Sequence, residues 1–152
     1  MKLTENLSLA EVTKSATAIR MGIANTPSAT HLIALKEVSK NIFQPCREHF
    51  GKPLAVTSGY RSEALNEAIN GSKTSQHSKG EALDLDADVF GGFSNAELFN
   101  YIKDHLDFDQ LIWEFGNNNN PAWVHCSYKT RGNRNEVLIA IKTNNQTTYR
   151  KL

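Results

Sequence analysis

The sequence predicts an α+β fold, and two observations carry that expectation. The first half holds Leu32, Leu35, Val38, Ile42, Cys46 and Phe50 at helical spacing, which argues a long amphipathic helix. The second half is a set of short alternating segments separated by turn-rich loops, the pattern of an antiparallel sheet with one helix inserted. At 152 residues the chain is expected to form one domain spanning residues 1–152. That length buries roughly 70% of the unfolded surface, so a core can form without disulfides.

Taken in order, Ser8-Leu9-Ala10-Glu11 is a capping-box pattern and predicts a short helix. Thr26-Pro27 reads as an N-cap followed by proline in the first turn of the long helix. Pro45 should kink or break that helix, and Gly51 should end it. A strand is expected over 54–58, closed by Gly59, then a short helix capped by Ser62, running to Ile69 and stopped by Gly71. Residues 72–80 form a polar loop leading to a strand at 82–87. Ser94-Asn95-Ala96-Glu97 is a second capping box, with Leu98, Ile102 and Leu106 on one stripe of the helix it starts. Residues 110–115 and 123–128 read as a hairpin around a loop holding four consecutive asparagines and Pro121, and 137–141 as a further strand.

Composition excludes several classes. Net charge is +1, so no global field argues for nucleic acid. Residues 81–109 carry eight acids against Lys103, which favours a bound cation, and 128–152 carry six bases against Glu136, read first as a solvated surface. Cys46 and Cys126 form no CxxC pair, so no cysteine metal site is available, and two buried free thiols are expected. No membrane span is present. Residues 1–10 contain no apolar h-region, so synthesis in the cytoplasm without a signal peptide is expected. A monomer is the default.

The chemistry concentrates in Ser75-Gln76-His77-Ser78-Lys79-Gly80-Glu81-Ala82-Leu83-Asp84, read with Trp123-Val124-His125. His77, Asp84 and His125 make a two-imidazole, one-carboxylate set that suits Zn²⁺ and leaves a fourth position open. Structural zinc sites are closed by four protein ligands, so this set points to a metallohydrolase. On the strands, Trp123, His125 and Ser127 share one face, and Ile112 and Glu114 alternate against Leu111, Trp113 and Phe115. A suitable register puts Glu114 on the face of His125, where a carboxylate can move the protons of hydrolysis. Asp84, Asp86 and Asp88 do not make a calcium loop, since the turn glycine and terminal glutamate are missing. No nucleophile-elbow pattern supports a serine triad.

These residues resemble a known family. Ser-Gly-Tyr-Arg-Ser (58–62), Ser-x-His-x-x-Gly-x-Ala-x-Asp (75–84), Ile-Trp-Glu (112–114) and Trp-Val-His (123–125) resemble the zinc D-Ala-D-Ala carboxypeptidase family. That family includes the phage-type L-alanyl-D-glutamate endopeptidases and cuts peptidoglycan stem peptides. Ser8-Leu9-Ala10-Glu11 and Asn25-Thr26-Pro27 resemble its phage-associated branch. The resemblance implies a Hedgehog/DD-peptidase-like fold and one Zn²⁺ held by His77, Asp84 and His125. It makes Glu114 the catalytic base and Arg61 the clamp for a substrate carboxylate, with action at the cell wall, in the periplasm or as a phage component. One departure stands: some members place the base three residues before the last histidine, where this chain has Ala122. Asp109 and Glu81 are the alternatives to Glu114 should the register fail. The competing class is a catalytically inactive binding module of the same fold, recognising a cell-wall or protein partner.

Overall fold

In the computed structural model, which describes residues 1–152, chain order starts with a two-stranded hairpin, β1 (Lys2–Thr4) and β2 (Leu7–Ser8). Two short helices follow, α1 (Leu9–Thr13) and α2 (Ala16–Met21). Ser8 caps α1 in a reciprocal box with Glu11, as the sequence predicts, and Ser15 caps a second, separate helix. The small opening hairpin was also not anticipated, because a two-residue strand carries no periodicity.

The long helix is observed with two corrections. Its N-cap is Ser28 rather than Thr26, so Pro27 precedes the cap, and α3 runs Ala29–Val38. Pro45 does not break the helical path. A π-helical turn over Ser39–Phe43 leads directly into α4 (Gln44–Phe50), with Pro45 in its first turn. Proline has no N–H to give the carbonyl one turn back, and the widened turn absorbs that loss before Pro45 is reached. Gly51, at φ 63°, ends α4 as expected. Leu35, Val38, Ile42 and Cys46 are fully buried along one side of this path.

The main sheet has six strands in the order β3 (Ala55–Ser58), β4 (Ala82–Asp86), β6 (Trp123–Ser127), β5 (Gln110–Glu114), β7 (Glu136–Thr143) and β8 (Gln146–Lys151). Helix α5 (Glu63–Ala68), capped by Ser62, follows β3, and α6 (Asn95–His105), with the Ser94–Glu97 box, lies between β4 and β5. The architecture is α+β. One pairing departs from an all-antiparallel sheet, since β5 and β7 are parallel. After β6 the chain passes β5 through residues 128–135 and turns back antiparallel to β6, which leaves β7 parallel to β5.

That crossover is held by a buried carboxylate. Asp109 is fully buried and receives the Arg134 N–H, Nε and a terminal nitrogen at 3.1, 3.0 and 2.7 Å. Burial pushes the Asp109 carboxyl up, and the hydrogen bonds and charge of Arg134 outweigh it, leaving its pKa below the usual carboxylate range. A depressed folded-state pKa means stability present above the unfolded value and lost as pH falls through the folded one. Arg134→Ala should therefore cost about 1–3 kcal/mol at neutral pH, the lower part of the range reflecting the exposure of the arginine. Urea unfolding should show the gap to wild type narrowing as Asp109 is protonated; a constant gap would place the contribution of Arg134 elsewhere.

The two sheet faces have different roles. Leu83, Leu85, Leu111, Val124 and Cys126 are fully buried on one face and pack under the helices with Phe43, Leu98, Phe99 and Ile102. Cys46 and Cys126 are both buried free thiols in this core. The other face carries Asp84, His125, Ile112 and Glu114. The alternation of strand side chains thus separates the core from the site.

Candidate metal centre and its cleft

Register decides the site. Asp84 pairs directly with His125 across β4 and β6, and Ile112 pairs with His125 across β5 and β6. Glu114 lies opposite Trp123, one alternation along on the same face. His77 comes from outside the sheet, on a 3₁₀ turn over Gln76–Lys79 that Ser75 caps through the His77 N–H. Gly80 ends that turn at φ 75°, and a Cβ there would stand 2.5 Å from the His31 carbonyl oxygen, so the close approach requires glycine.

The three expected metal residues converge. Asp84 Oδ1 is 3.3 Å from His77 Nε2 and 3.1 Å from His125 Nδ1. Donors around a tetrahedral ion with bonds of about 2.1 Å stand roughly 3.4 Å apart, so both Asp84 spacings fit one small cation, and all three donor atoms lie within 4.8 Å of one another. The tautomer of His77 fits too. Its Nδ1 lies 2.7 Å from the Gly59 carbonyl oxygen, which can only accept, so Nδ1 carries the proton and Nε2 turns its lone pair inward. In the metal-free protein, burial raises the Asp84 pKa, but the charges and hydrogen bonds of His77 and His125 outweigh it and hold Asp84 far below the carboxylate range.

These residues line a cleft of about 830 Å³ together with Glu114, Arg61, Trp123 and Tyr149. Burial pushes the Glu114 carboxyl up, and the nearby Asp84 charge adds to this; His125 and Arg61 pull the other way, for a pKa of about 7. Burial lowers the Arg61 pKa against the opposing pull of Asp84 and Glu114. The Arg61 Nε is buried without any hydrogen-bond partner. Its backbone is fixed, with the Arg61 N–H donating to the His77 carbonyl at 3.1 Å.

Several residues have clearer roles here than in the sequence. Asn25 staples the 58–62 segment, donating to the Thr13 and Tyr60 carbonyls and accepting from the Ser62 N–H at 2.7 Å. Asn95 is buried and ties the Asp86 and Asp88 carboxylates to the Pro121–Ala122 end of the asparagine loop. The alternatives to Glu114 stand outside the cleft lining: Asp109 is held by Arg134, and Glu81 accepts from Gln76. Thr147 and Tyr149, from strand β8, line the cleft and were missed. A signal existed in Asn144-Asn145, whose positive φ values of 51° and 65° make the two-residue turn of a tight hairpin.

Residues 5–127 match the family model described as Peptidase M15. The chain belongs to the peptidase M15 family. No curated protein matches it as a relative. As an M15 peptidase it falls among the metallopeptidases, in keeping with a His-Asp-His group able to hold a metal ion. The M15 match ends at the last strand-β6 residue, so β7 and β8 build their wall of the cleft from outside the matched segment. No helix of the chain is long and apolar enough to cross a membrane.

Proposed function

We propose that this chain is a zinc-dependent peptidase that hydrolyses peptide bonds in peptidoglycan stem peptides, of the D,D-carboxypeptidase or L-Ala-D-Glu endopeptidase type. The observation that carries this reading is the convergence of His77, Asp84 and His125 beside Glu114, in a cleft where a buried Arg61 nitrogen lacks a partner. The three converging residues would hold one Zn²⁺. When bound, the ion supplies Lewis acidity, polarising a carbonyl and lowering the pKa of a water. Glu114 takes the proton of the attacking water as its oxygen bonds to the scissile carbon. It then delivers that proton to the leaving nitrogen as the C–N bond breaks. Arg61 receives a substrate carboxylate through its guanidinium fork and so sets the amide over the site.

The test is incubation of the zinc-loaded and the chelated protein with purified peptidoglycan, with products identified by mass. Chelator-sensitive release of D-alanine, or exposure of a D-glutamate amine, is the expected result and names the bond. Intact peptidoglycan under both conditions would overturn the reading. The clamp has its own signature: Arg61→Ala should raise KM for carboxylate-bearing peptides roughly 10- to 100-fold, with a smaller change in kcat. Because the Arg61 charge lowers the Glu114 pKa, the variant's acid limb of kcat/KM should also move to higher pH. Unchanged kinetics and an unmoved limb would remove Arg61 from the site.

A further inference from the structure

The cleft carries cationic side chains besides Arg61. Its lining includes the cations Arg61, Lys79, Lys129 and Arg134 but only two anions, Asp84 and Glu114. A divalent cation at the triad would tip this balance further towards positive charge. Arg134 is already neutralised, bonding Asp109 at 2.7 Å and standing 3.8 Å from Glu136. Neither lysine has a carboxylate partner within the protein.

The neighbouring acids explain why. Glu81 accepts from Gln76, Asp109 from Arg134 and Gln76, and Glu136 from Gln110. Each of these three acids has a side-chain donor, and in no case is it Lys79 or Lys129. Their position is set by the ladder. Ala82 pairs with Ser127, and the Tyr128 N–H donates to the Glu81 carbonyl at 2.9 Å, bringing the Lys79 and Lys129 segments to the same end of β4 and β6. The Asp84–His125 pair lies one alternation inward, and Glu114 and Trp123 lie beyond it. A peptide laid along the strands therefore passes the metal residues and meets the lysines next.

We propose that Lys79 and Lys129 form a second carboxylate subsite, so that the preferred substrate is a peptide with a free carboxylate beside the scissile bond in addition to the one at Arg61. The inference rests on the peptidase reading of this cleft. Substrates differing only by conversion of that carboxylate to a carboxamide are distinguished here: the acid is held by two ammonium groups, and the amide offers them no charge.

The experiment uses two tetrapeptides, L-Ala-γ-D-Glu-L-Lys-D-Ala and its counterpart with the α-carboxylate of D-Glu amidated. Dissociation constants are measured by calorimetry on the zinc-loaded Glu114→Gln protein, with and without the added pair Lys79→Gln/Lys129→Gln, and turnover is measured on the same pair of peptides with Glu114 intact. The acid form should bind at least about fivefold more tightly than the amide, a preference that shrinks with added salt. In the double-lysine variant the ratio should collapse to near one, and Lys79→Arg/Lys129→Arg should restore it. Equal binding of the two forms, no binding of either, or a preference that survives loss of both lysines would overturn the subsite. Absent turnover with the acid preference intact would exclude hydrolysis of the L-Ala-D-Glu bond and leave the subsite standing, and turnover without acid preference would count against the subsite alone.

Discussion

Glu114→Gln is expected to lower turnover by roughly 10²- to 10⁴-fold while leaving the metal content of the protein unchanged. The substitution keeps the shape of the side chain and removes its capacity to accept and return a proton. Glu114 is not among the converging metal residues, so the His77, Asp84 and His125 donors stay in place. Its environment suits the task. In the metal-free protein burial and the Asp84 charge set its pKa at about 7, and a cation at the triad adds positive charge that lowers it, favouring the carboxylate at neutral pH. Removing a buried carboxylate of raised pKa also has a stability consequence of known sign. Such a group favours the folded state most below its unfolded pKa, and the contribution is lost as pH rises through about 7. The metal-free variant should thus gain on wild type in thermal stability as pH is raised through that window. Metal analysis alongside peptide cleavage checks the assignment: full activity in Glu114→Gln, with one metal bound, would mean that another group moves the proton.

Asp84→Ala should abolish the metal response. For the wild type, free zinc at about a hundred times its dissociation constant should stabilise the fold by roughly 2.7 kcal/mol, raising the melting temperature by about 5–10 °C. Asp84 Oδ1 is the atom both imidazoles approach, at 3.3 and 3.1 Å, so its loss leaves two donors and no anion to offset the charge of the ion. The expected result is a melting curve that zinc and chelator no longer separate, together with loss of peptide cleavage. An undiminished zinc shift in Asp84→Ala would locate the ion elsewhere.

Much of the fold was legible because local physics settles it. The Ser8–Glu11 and Ser94–Glu97 boxes, the αL glycine at 51 and the alternation along residues 110–115 and 123–128 each follow from neighbours within a turn or a strand. The misses have equally local causes. Pro45 reads as a helix breaker, yet a π turn over Ser39–Phe43 carries the helical path on into α4, with Pro45 in its first turn. Thr26 and Ser28 are both capping residues, and it is Ser28 whose hydroxyl accepts from the His31 N–H. Strand β8 is exposed throughout, so it carries no hydrophobic alternation to announce it.

By itself the sequence determined the α+β class, the identity of the chemistry-bearing side chains and the strand face on which each stands, since helical and strand periods are properties of the chain. Only the tertiary structure decided which of those faces meet. The pairing of Asp84 with His125 and of Glu114 with Trp123 depends on inter-strand register, and a slip of one residue would turn each of these side chains into the core. The inward lone pair of His77 depends on a carbonyl eighteen residues away, the unpartnered Arg61 nitrogen on burial, and the cleft's far wall on a parallel β5–β7 pairing whose connection is pinned by Asp109 and Arg134. These are long-range contacts, whose free energy arises only when segments distant in sequence are brought together.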